Sequence, residues 1–223
     1  MPFQANLIPN SSFNSPAKGV VAQDKQILTY TAIDREVDSV PKQLINLAQV
    51  EMQQVHSNEV TEVTNNLSHC VLQADAVFTI QSNLILKVKH ADCLPILVNG
   101  EWIMDNGRKE KVIAVIHAGR KGTEQKITEK VCRILKNKFE IKQVNFWLGP
   151  CICEACYQVN RQIDEHYDLR TENLKQIYNN FASHEVKVTS YDKCTCHQAS
   201  KYFSYRREKA GVSMNWSGIA LIS

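Results

Sequence analysis

Apolar residues in this chain come in short continuous runs, most of them bounded by glycine, asparagine, aspartate or other turn-forming residues. A run of this length with β-branched and aliphatic side chains is typical of a strand that is buried on both faces. The segments predicted as strands are 26–32, 76–80, 84–89, 96–98, 112–116, 144–148, 186–188 and 219–222. Asn99-Gly100 and Asn106-Gly107 lie between two of these runs, which predicts a hairpin around them.

Two other segments have the periodicity of helices. Ile127, Val131, Ile134 and Leu135 recur at intervals of three and four among charged residues, which predicts an amphipathic helix over 124–138. A second helix is marked by Leu174, Ile177, Tyr178 and Phe181. The pattern as a whole predicts a mixed α and β fold without an internal repeat.

Composition narrows the class of protein. The 223 residues are enough for a substantial core, and the net charge of +3 is spread over the chain without a long basic run. We therefore expect no nucleic acid partner and no membrane surface, and no apolar stretch is long enough to span a bilayer. Residues 1–16 lack the features of a secretory signal. The eight cysteines are then expected in the cytoplasm, as ligands, nucleophiles or core residues.

The candidate chemistry lies in three short segments, 54–56, 91–95 and 115–119. They place two imidazoles and one thiol, from His56, Cys93 and His117, beside apolar stretches. One thiolate with two imidazoles suits Zn²⁺, and three protein ligands leave a fourth position for water or substrate. The pattern predicts a catalytic zinc, with Asp92 as the nearby group that orients a ligand.

The same residues allow a second interpretation. Cys93 could be a thiolate nucleophile, with its pKa lowered by His56 or His117, that attacks an acyl or amide carbon. A thiolate bound to zinc is a poor free nucleophile, so the two interpretations are nearly exclusive. The residues alone leave both open.

Two further segments are candidates for binding anions or bases. Residues 117–123 combine glycines and cations ahead of a predicted helix, which favours phosphate. Residues 203–207 combine an aromatic pair with two arginines, which suits stacking on a base and bidentate contact with phosphate. Simple turns or a solvated strand end would also account for both segments.

The cysteine-rich segments 151–156 and 194–197 raise the question of a separate structural zinc site. Such sites usually show paired knuckles of two ligands separated by two residues. Cys153 and Cys156 form one such pair, and the spacing of the other cysteines predicts against a second metal.

Taken together, these residues resemble the multicopper polyphenol oxidase or laccase-domain family, whose members are also described as zinc-dependent purine nucleoside phosphorylases and, in bacteria, as peptidoglycan editing factors. The motifs that carry the resemblance are, in chain order, Gln54-Val55-His56, Ala74-Asp75-Ala76, Ala91-Asp92-Cys93-Leu94-Pro95, His117-Ala118-Gly119, Gly149-Pro150 with Cys156-Tyr157, Cys194-Thr195, and Phe203-Ser204-Tyr205-Arg206-Arg207.

The resemblance implies that His56, Cys93 and His117 bind a catalytic zinc. It implies an α+β fold in which two intimate subdomains pack mixed β-sheets together under helices, as four layers in the order α/β/β/α. The chain would be a single structural domain over 1–223, with an atypical N-terminal segment 1–50.

The implied activity is phosphorolysis of adenosine, inosine and methylthioadenosine to the base and a sugar 1-phosphate, with adenosine deamination beside it. Lys121, Arg206 and Arg207 are our candidates for balancing the charge of phosphate. The alternatives are a cysteine hydrolase that edits peptidoglycan precursors and, last, a copper-dependent phenol oxidase, because the sequence offers no His-rich set for a multicopper cluster. Base preference and oligomeric state stay open.

The chain also departs from the family pattern. Arg120-Lys121 follows His-Ala-Gly where the family usually has Trp-Arg, which exchanges an aromatic wall for a cation. The usual N-terminal glycine-rich motif is not recognisable before Gln54. We therefore expect a remodelled nucleoside pocket.

Overall fold

The computed structural model describes residues 20–23, 26–31, 40, 44–64, 71–141 and 143–222. Their strands form two six-stranded sheets and one two-stranded sheet. The strands are β1 (Val20–Gln23), β2 (Ile27–Thr31), β3 (Ala48–Gln53), β4 (Val60–Glu62), β5 (Val71–Gln73), β6 (Ala76–Thr79), β7 (Leu84–His90), β8 (Leu94–Ile103), β9 (Lys109–Ala118), β10 (Gln143–Leu148), β11 (Gln158–Asn160), β12 (Glu165–His166), β13 (Val186–Ser190) and β14 (Asn215–Leu221).

Both large sheets are mixed. The first sheet has the order β1-β2-β14-β7-β3-β5, and its parallel pairs are β7 with β3 and β3 with β5. The second sheet has the order β13-β10-β8-β9-β6-β4, with parallel pairs at its two ends. The small sheet pairs β11 with β12.

The two large sheets pack face to face over a shared apolar core. Leu86 and Val88 of β7 contribute to this core from the first sheet, and Leu97 and Val115 contribute from the second. The opposite side chains of β8 and β9 are buried as well, under helices. Burial on both faces explains why these strands appear in the sequence as continuous apolar runs rather than alternating patterns.

Four α-helices occur among the described residues: α1 (Arg120–Glu124), α2 (Ile127–Phe139), α3 (Leu169–Tyr178) and α4 (Tyr205–Glu208). The apolar face of α2 packs on the outer side of the second sheet, together with α3. Asp168 caps α3 by accepting hydrogen bonds from two of its first N–H groups. The outer side of the first sheet packs Tyr30 and Ile85 against Leu44.

These features confirm the predicted α+β fold with mixed sheets packed together and helices as a covering layer. The helix predicted over 124–138 begins later, at Ile127, because the left-handed backbone of Lys126 separates it from α1. Much of the atypical segment 1–50 lies outside the described residues, and its described part supplies β1, β2 and the first half of β3. Among the described residues, no helix is both long and apolar enough to cross a membrane.

Candidate active site

The hairpin of β8 and β9 brings Cys93 and His117 together. Cys93 stands in the turn between β7 and β8, directly before Leu94, and His117 is the second-last residue of β9. Antiparallel pairing sets Leu94 opposite Ala118 and Pro95 opposite His117. Cys93 therefore lies beside the end of β9, as expected for side chains at strand ends.

His56 reaches the same place from the loop after β3. The loop is held by the carboxylate of Asp75, which accepts hydrogen bonds from the N–H groups of Val55 (3.2 Å), His56 (3.0 Å) and Ser57 (2.7 Å). His56 has a left-handed backbone with φ of 60°, a conformation that few non-glycine residues adopt. The carboxylate thus fixes a turn that the local sequence would not favour by itself.

The three predicted ligands converge. The side-chain ligand atoms of His56, Cys93 and His117 all lie within 4.8 Å of one another. Sγ of Cys93 is 3.8 Å from Nε2 of His56. The ring centroids of His56 and His117 are 4.8 Å apart in an edge-to-face arrangement. His117 is buried, Cys93 is half-buried and His56 is exposed, so the set is open to a ligand on one side.

Asp75, rather than Asp92, orients the ligands. Nδ1 of His117 donates to Oδ1 of Asp75 at 2.8 Å, which turns Nε2 of His117 toward the thiol. Asp92 instead accepts from Oγ1 of Thr195 (2.7 Å) and from the backbone N–H of Arg206 (2.6 Å). The role expected of Asp92 is therefore wrong, because its carboxylate points to the segment around 195–206. Asp75 stands in one of the family motifs, but the sequence assigned it no role, because it lies far in sequence from the ligands (|i−j| of 19 from His56 and 42 from His117).

The charges of the site are coupled. Burial acts to raise the pKa of the Cys93 thiol, but the His117 and His56 imidazoles outweigh it and lower that pKa to about 6. Burial acts to lower the pKa of His117, and the charges of Cys93 and Asp75 raise it to about 9. Burial likewise opposes the charge of Asp75, but hydrogen bonds from His117 and Ser57 lower its pKa to about 2. Without a metal, the set favours a thiolate beside an imidazolium.

Arg206 and Tyr157 form a cationic and aromatic wall near this set. The guanidinium of Arg206 lies over the Tyr157 ring, 5.6 Å from its centroid, and donates to the backbone oxygen of Gln158 at 2.8 Å. Burial and then the charge of Cys93 raise the pKa of Tyr157, while Arg120 and Arg206 act to lower it. These couplings indicate that the thiol of Cys93 and both arginines lie near the Tyr157 hydroxyl.

Arg207 has contacts of a different kind. Its Nη1 donates to the backbone oxygens of Thr195 (2.8 Å) and Cys196 (2.7 Å), and its Nη2 donates to that of Tyr202 (2.6 Å). Glu208 lies 2.6 Å from the same Nη2. These contacts argue against the predicted phosphate contact, since the guanidinium holds the chain segment before α4. Lys121 is exposed on α1.

The cysteine-rich segments also converge, contrary to expectation. Cys153, Cys156, Cys194 and His197 place their ligand atoms within 4.8 Å of one another. The signal that could have found them is the spacing Cys194-x-x-His197, a second knuckle with histidine in place of cysteine. A search for pairs of cysteines alone does not find this second pair, because one of its ligands is a histidine.

This fold and this site define a protein of two packed mixed sheets with a Cys-His-His cluster at the end of a central hairpin. The model of the family described as multi-copper polyphenol oxidoreductase laccase matches residues 29–221. The chain belongs to this family, as the motifs predicted.

Its curated relatives are distant. A Haemophilus influenzae protein named purine nucleoside phosphorylase is 27% identical over 70% of this chain and 67% of its own length. One of the same name from Staphylococcus saprophyticus is 28% identical over 71% and 68%. A third, from Rickettsia conorii, is 29% identical over 63% of this chain, which spans only 53% of that relative.

Solved structures share the fold. The YfiH protein of Bacillus licheniformis superposes with a TM-score of 0.71 at 17% identity, covering 92% of this chain and 97% of its own. YlmD of Geobacillus stearothermophilus gives a TM-score of 0.70 at 18% identity, covering 95% and 99%. The architecture is thus conserved at an identity too low to carry any further argument.

Proposed function

We propose that this protein is a zinc-dependent purine nucleoside phosphorylase. The observation that carries the proposal is the convergence of His56, Cys93 and His117, with Asp75 holding both histidine segments. The names of the curated relatives support the reaction class. Purine nucleoside and phosphate would then be the small-molecule ligands.

The donor set fits zinc. Thiolate and imidazole are ligand types that catalytic Zn²⁺ uses, and a set of three protein ligands keeps one position for water or substrate. A single copper would accept the same donors, but a multicopper centre needs several further histidines. Among the described residues, the second cluster of metal-ligating side chains has one histidine and three cysteines, which does not suit that centre. Zinc is therefore our choice over copper.

When bound, zinc supplies a Lewis acid that polarises an oxygen ligand and lowers the pKa of water to about 7. The chain contributes orientation. Asp75 keeps the proton of His117 on Nδ1. The unprotonated Nε2 therefore directs its lone pair into the site. Arg206 over Tyr157 offers a cation to phosphate and an aromatic edge to the nucleoside. Lys121, on α1 after Gly119, is the second candidate cation.

We propose adenosine, inosine and methylthioadenosine as substrates of phosphorolysis, in which phosphate attacks C1′ of the sugar and the base leaves. Deamination of adenosine would be a separate reaction, in which water attacks C6 of the base and ammonia leaves. Arg120 stands where the family usually has tryptophan, and it lies near Tyr157. A cation at this wall would favour electron-rich or anionic groups on the ligand over plain stacking. Base preference is therefore expected to differ from that of relatives with the aromatic residue.

The first test is product analysis. Protein purified without added metal is incubated with adenosine, with and without phosphate, and products are separated by chromatography while zinc is measured by elemental analysis. We expect adenine and ribose 1-phosphate only with phosphate, and inosine at a lower rate in either case. Cys93→Ala should abolish phosphorolysis and remove the zinc of this site.

Cys132→Ala is the matched control, because this buried thiol of α2 belongs to neither cluster. It should keep both zinc content and activity. Full activity of Cys93→Ala, or adenine release that does not depend on phosphate, would contradict the proposal.

A cysteine hydrolase is the second candidate, and one observation favours it. Without metal, the interaction of Cys93 with His117 lowers the pKa of the thiol and raises that of the imidazole, which favours the thiolate and imidazolium pair of an activated nucleophilic cysteine. Iodoacetamide labelling followed by mass spectrometry separates the two functions. Labelling of Cys93 in the protein as purified supports the hydrolase, and labelling only after removal of metal supports the phosphorylase.

We propose a cytoplasmic location for this enzyme. All seven described cysteines are free thiols, and thiols that serve as ligands persist in reducing compartments. Fractionation of cells that express the tagged chain tests this location.

A further inference from the structure

A second set of metal-ligating side chains lies beyond the ends of two neighbouring strands. Cys153, Cys156, Cys194 and His197 each direct one ligand atom into a space in which these atoms are all within 4.8 Å of one another. None of the four belongs to the candidate active site. They come from segments about forty residues apart (|i−j| of 41 for Cys153 and Cys194).

The topology explains why they meet. β10 and β13 are parallel neighbours in the second sheet, so their carboxyl ends reach the same edge. Beyond that edge, the two chain segments stay paired through their backbones. Cys151 and Cys194 form an isolated parallel β-bridge, and the backbone N–H of Thr195 donates to the backbone oxygen of Cys151 at 3.1 Å. Backbone pairing is therefore enough to bring the two halves of the set together without a metal ion.

Each half has the form of a zinc knuckle. Cys153 and Cys156 flank a short 3-10 turn, closed by a bond from the N–H of Cys156 to the oxygen of Cys153 at 3.0 Å. Cys194 and His197 lie in a second turn. This turn is closed by a hydrogen bond of 3.1 Å from the backbone N–H of Gln198 to the backbone oxygen of Cys194. Pairs of ligands separated by two residues are the usual spacing in structural zinc sites.

The distances suit a small tetrahedral ion. Nδ1 of His197 is 3.7 Å from Sγ of Cys153, and Nε2 is 3.2 Å from Sγ of Cys156. Zinc bonds of about 2.3 Å to sulfur and about 2.0 Å to nitrogen place tetrahedral ligand atoms about 3.5 to 3.8 Å apart. His197 is exposed, and one of its ring nitrogens would complete the set.

The backbone around Cys194 is arranged for a thiolate. The N–H group of Cys153 donates to Sγ of Cys194 at 3.3 Å, and those of Cys196 and His197 are directed at the same sulfur. N–H groups around a sulfur stabilise its charged form, which is the form that binds a metal.

We propose that Cys153, Cys156, Cys194 and His197 bind a structural zinc ion. Three thiolates and one imidazole complete a tetrahedron and leave no position for substrate, which is the feature of a structural rather than a catalytic site. The ion would stabilise the segment that carries Thr195. The hydroxyl of Thr195 donates a hydrogen bond to the carboxylate of Asp92, the residue before Cys93. It would therefore support one wall of the candidate active site without taking part in its chemistry.

The test uses Cys93→Ala as background, because this variant lacks a ligand of the candidate active site and leaves the second set intact. We expect elemental analysis of Cys93→Ala, purified without added metal, to find about one zinc ion per chain. Adding Cys153→Ser should remove that zinc. Adding Cys196→Ser is the matched control, since this neighbouring half-buried thiol lies outside the set, and it should leave the zinc in place.

A second measurement covers the case in which Cys153→Ser does not fold. Cys93→Ala is stripped with a chelator and titrated with cobalt(II) alone, and its melting temperature is followed with and without zinc. We expect the absorption of a tetrahedral thiolate site that saturates at about one cobalt per chain, and a melting temperature that falls on stripping and recovers with zinc. Cys93→Ala free of metal and without tetrahedral cobalt absorption, or a disulfide within the set by mass spectrometry, would overturn the proposal.

Discussion

Oδ1 of Asp75 accepts a hydrogen bond from Nδ1 of His117 at 2.8 Å, and the same carboxylate binds the loop that carries His56. Asp75 and His117 are both buried. Asp75 therefore connects two of the three proposed ligands through one group. A buried carboxylate that receives this many donors is a positioning residue for the whole site.

Asp75→Asn is expected to weaken zinc binding at the site of Cys93 about 10- to 100-fold. The two carboxylate oxygens accept from five donors of Val55, His56, Ser57 and His117, whereas an amide offers one acceptor oxygen and brings its own donors. Competition with a chromophoric chelator measures the affinity. Asp105→Asn, in an exposed turn, is the control, and an unchanged affinity in Asp75→Asn would remove Asp75 from this role.

Gly122→Ala is expected to disturb the position of His56 more than it disturbs the fold. A Cβ on Gly122 would lie 2.7 Å from the backbone oxygen of Ser57, so the loop next to His56 must move. Alanine itself favours a helix by about 1 kcal/mol over glycine. Zinc affinity and phosphorolysis should therefore fall while the melting temperature changes little. Gln125→Ala, at the exposed end of α1, is the control, and full activity of Gly122→Ala would show that the loop adapts without cost.

The two adjacent arginines are expected to behave differently. Arg206→Ala should raise the KM for phosphate more than the KM for nucleoside, because its guanidinium stands over Tyr157 near the thiol. Arg207→Ala should lower the melting temperature, since its side chain donates to three backbone oxygens, and leave the KM for phosphate of the folded enzyme unchanged. Steady-state kinetics and thermal melts compare the pair. The reverse pattern would restore Arg207 as the phosphate ligand.

His90 is expected to make the fold sensitive to acid. Burial, and then the charge of His117, lower the pKa of His90 to about 3. Because the unfolded chain takes up this proton near pH 6.5 and the folded chain does not, the contribution to stability is complete above pH 6.5 and declines below it. The free energy of unfolding should fall by up to about 1.4 kcal/mol per pH unit between these two values.

Replacement with an apolar residue tests this dependence. His90→Leu removes the titrating group, and the hydroxyl of Ser217, which contacts Nε2 of His90, keeps Thr31 as a partner at 2.7 Å. Urea unfolding of chelator-treated protein at pH 7, 6 and 5 should give a shallower slope for His90→Leu than for the parent chain. Equal slopes would assign the acid sensitivity to other groups.

The sequence by itself determined most of the longer strands, the two longer helices and the ligands of the proposed active site. Apolar runs such as 112–116 mark strands of the second sheet, and the spacing of Ile127, Val131 and Leu135 marks α2, because each period depends on local geometry. His56, Cys93 and His117 were found because one thiol and two imidazoles are a ligand set that suits zinc. Two of them, Cys93 and His117, also lie at strand ends, where side chains of a packed sheet converge.

Only the tertiary structure decided which polar groups serve the site. Asp75 rather than Asp92 orients His117, Arg207 binds backbone oxygens, and His197 joins the three cysteines. None of these pairings has a periodic signal, because hydrogen bonds and ligand sets depend on strand order and register, which are set by long-range packing. The parallel pairing of β10 with β13 brings the second ligand set together, and it links segments about forty residues apart.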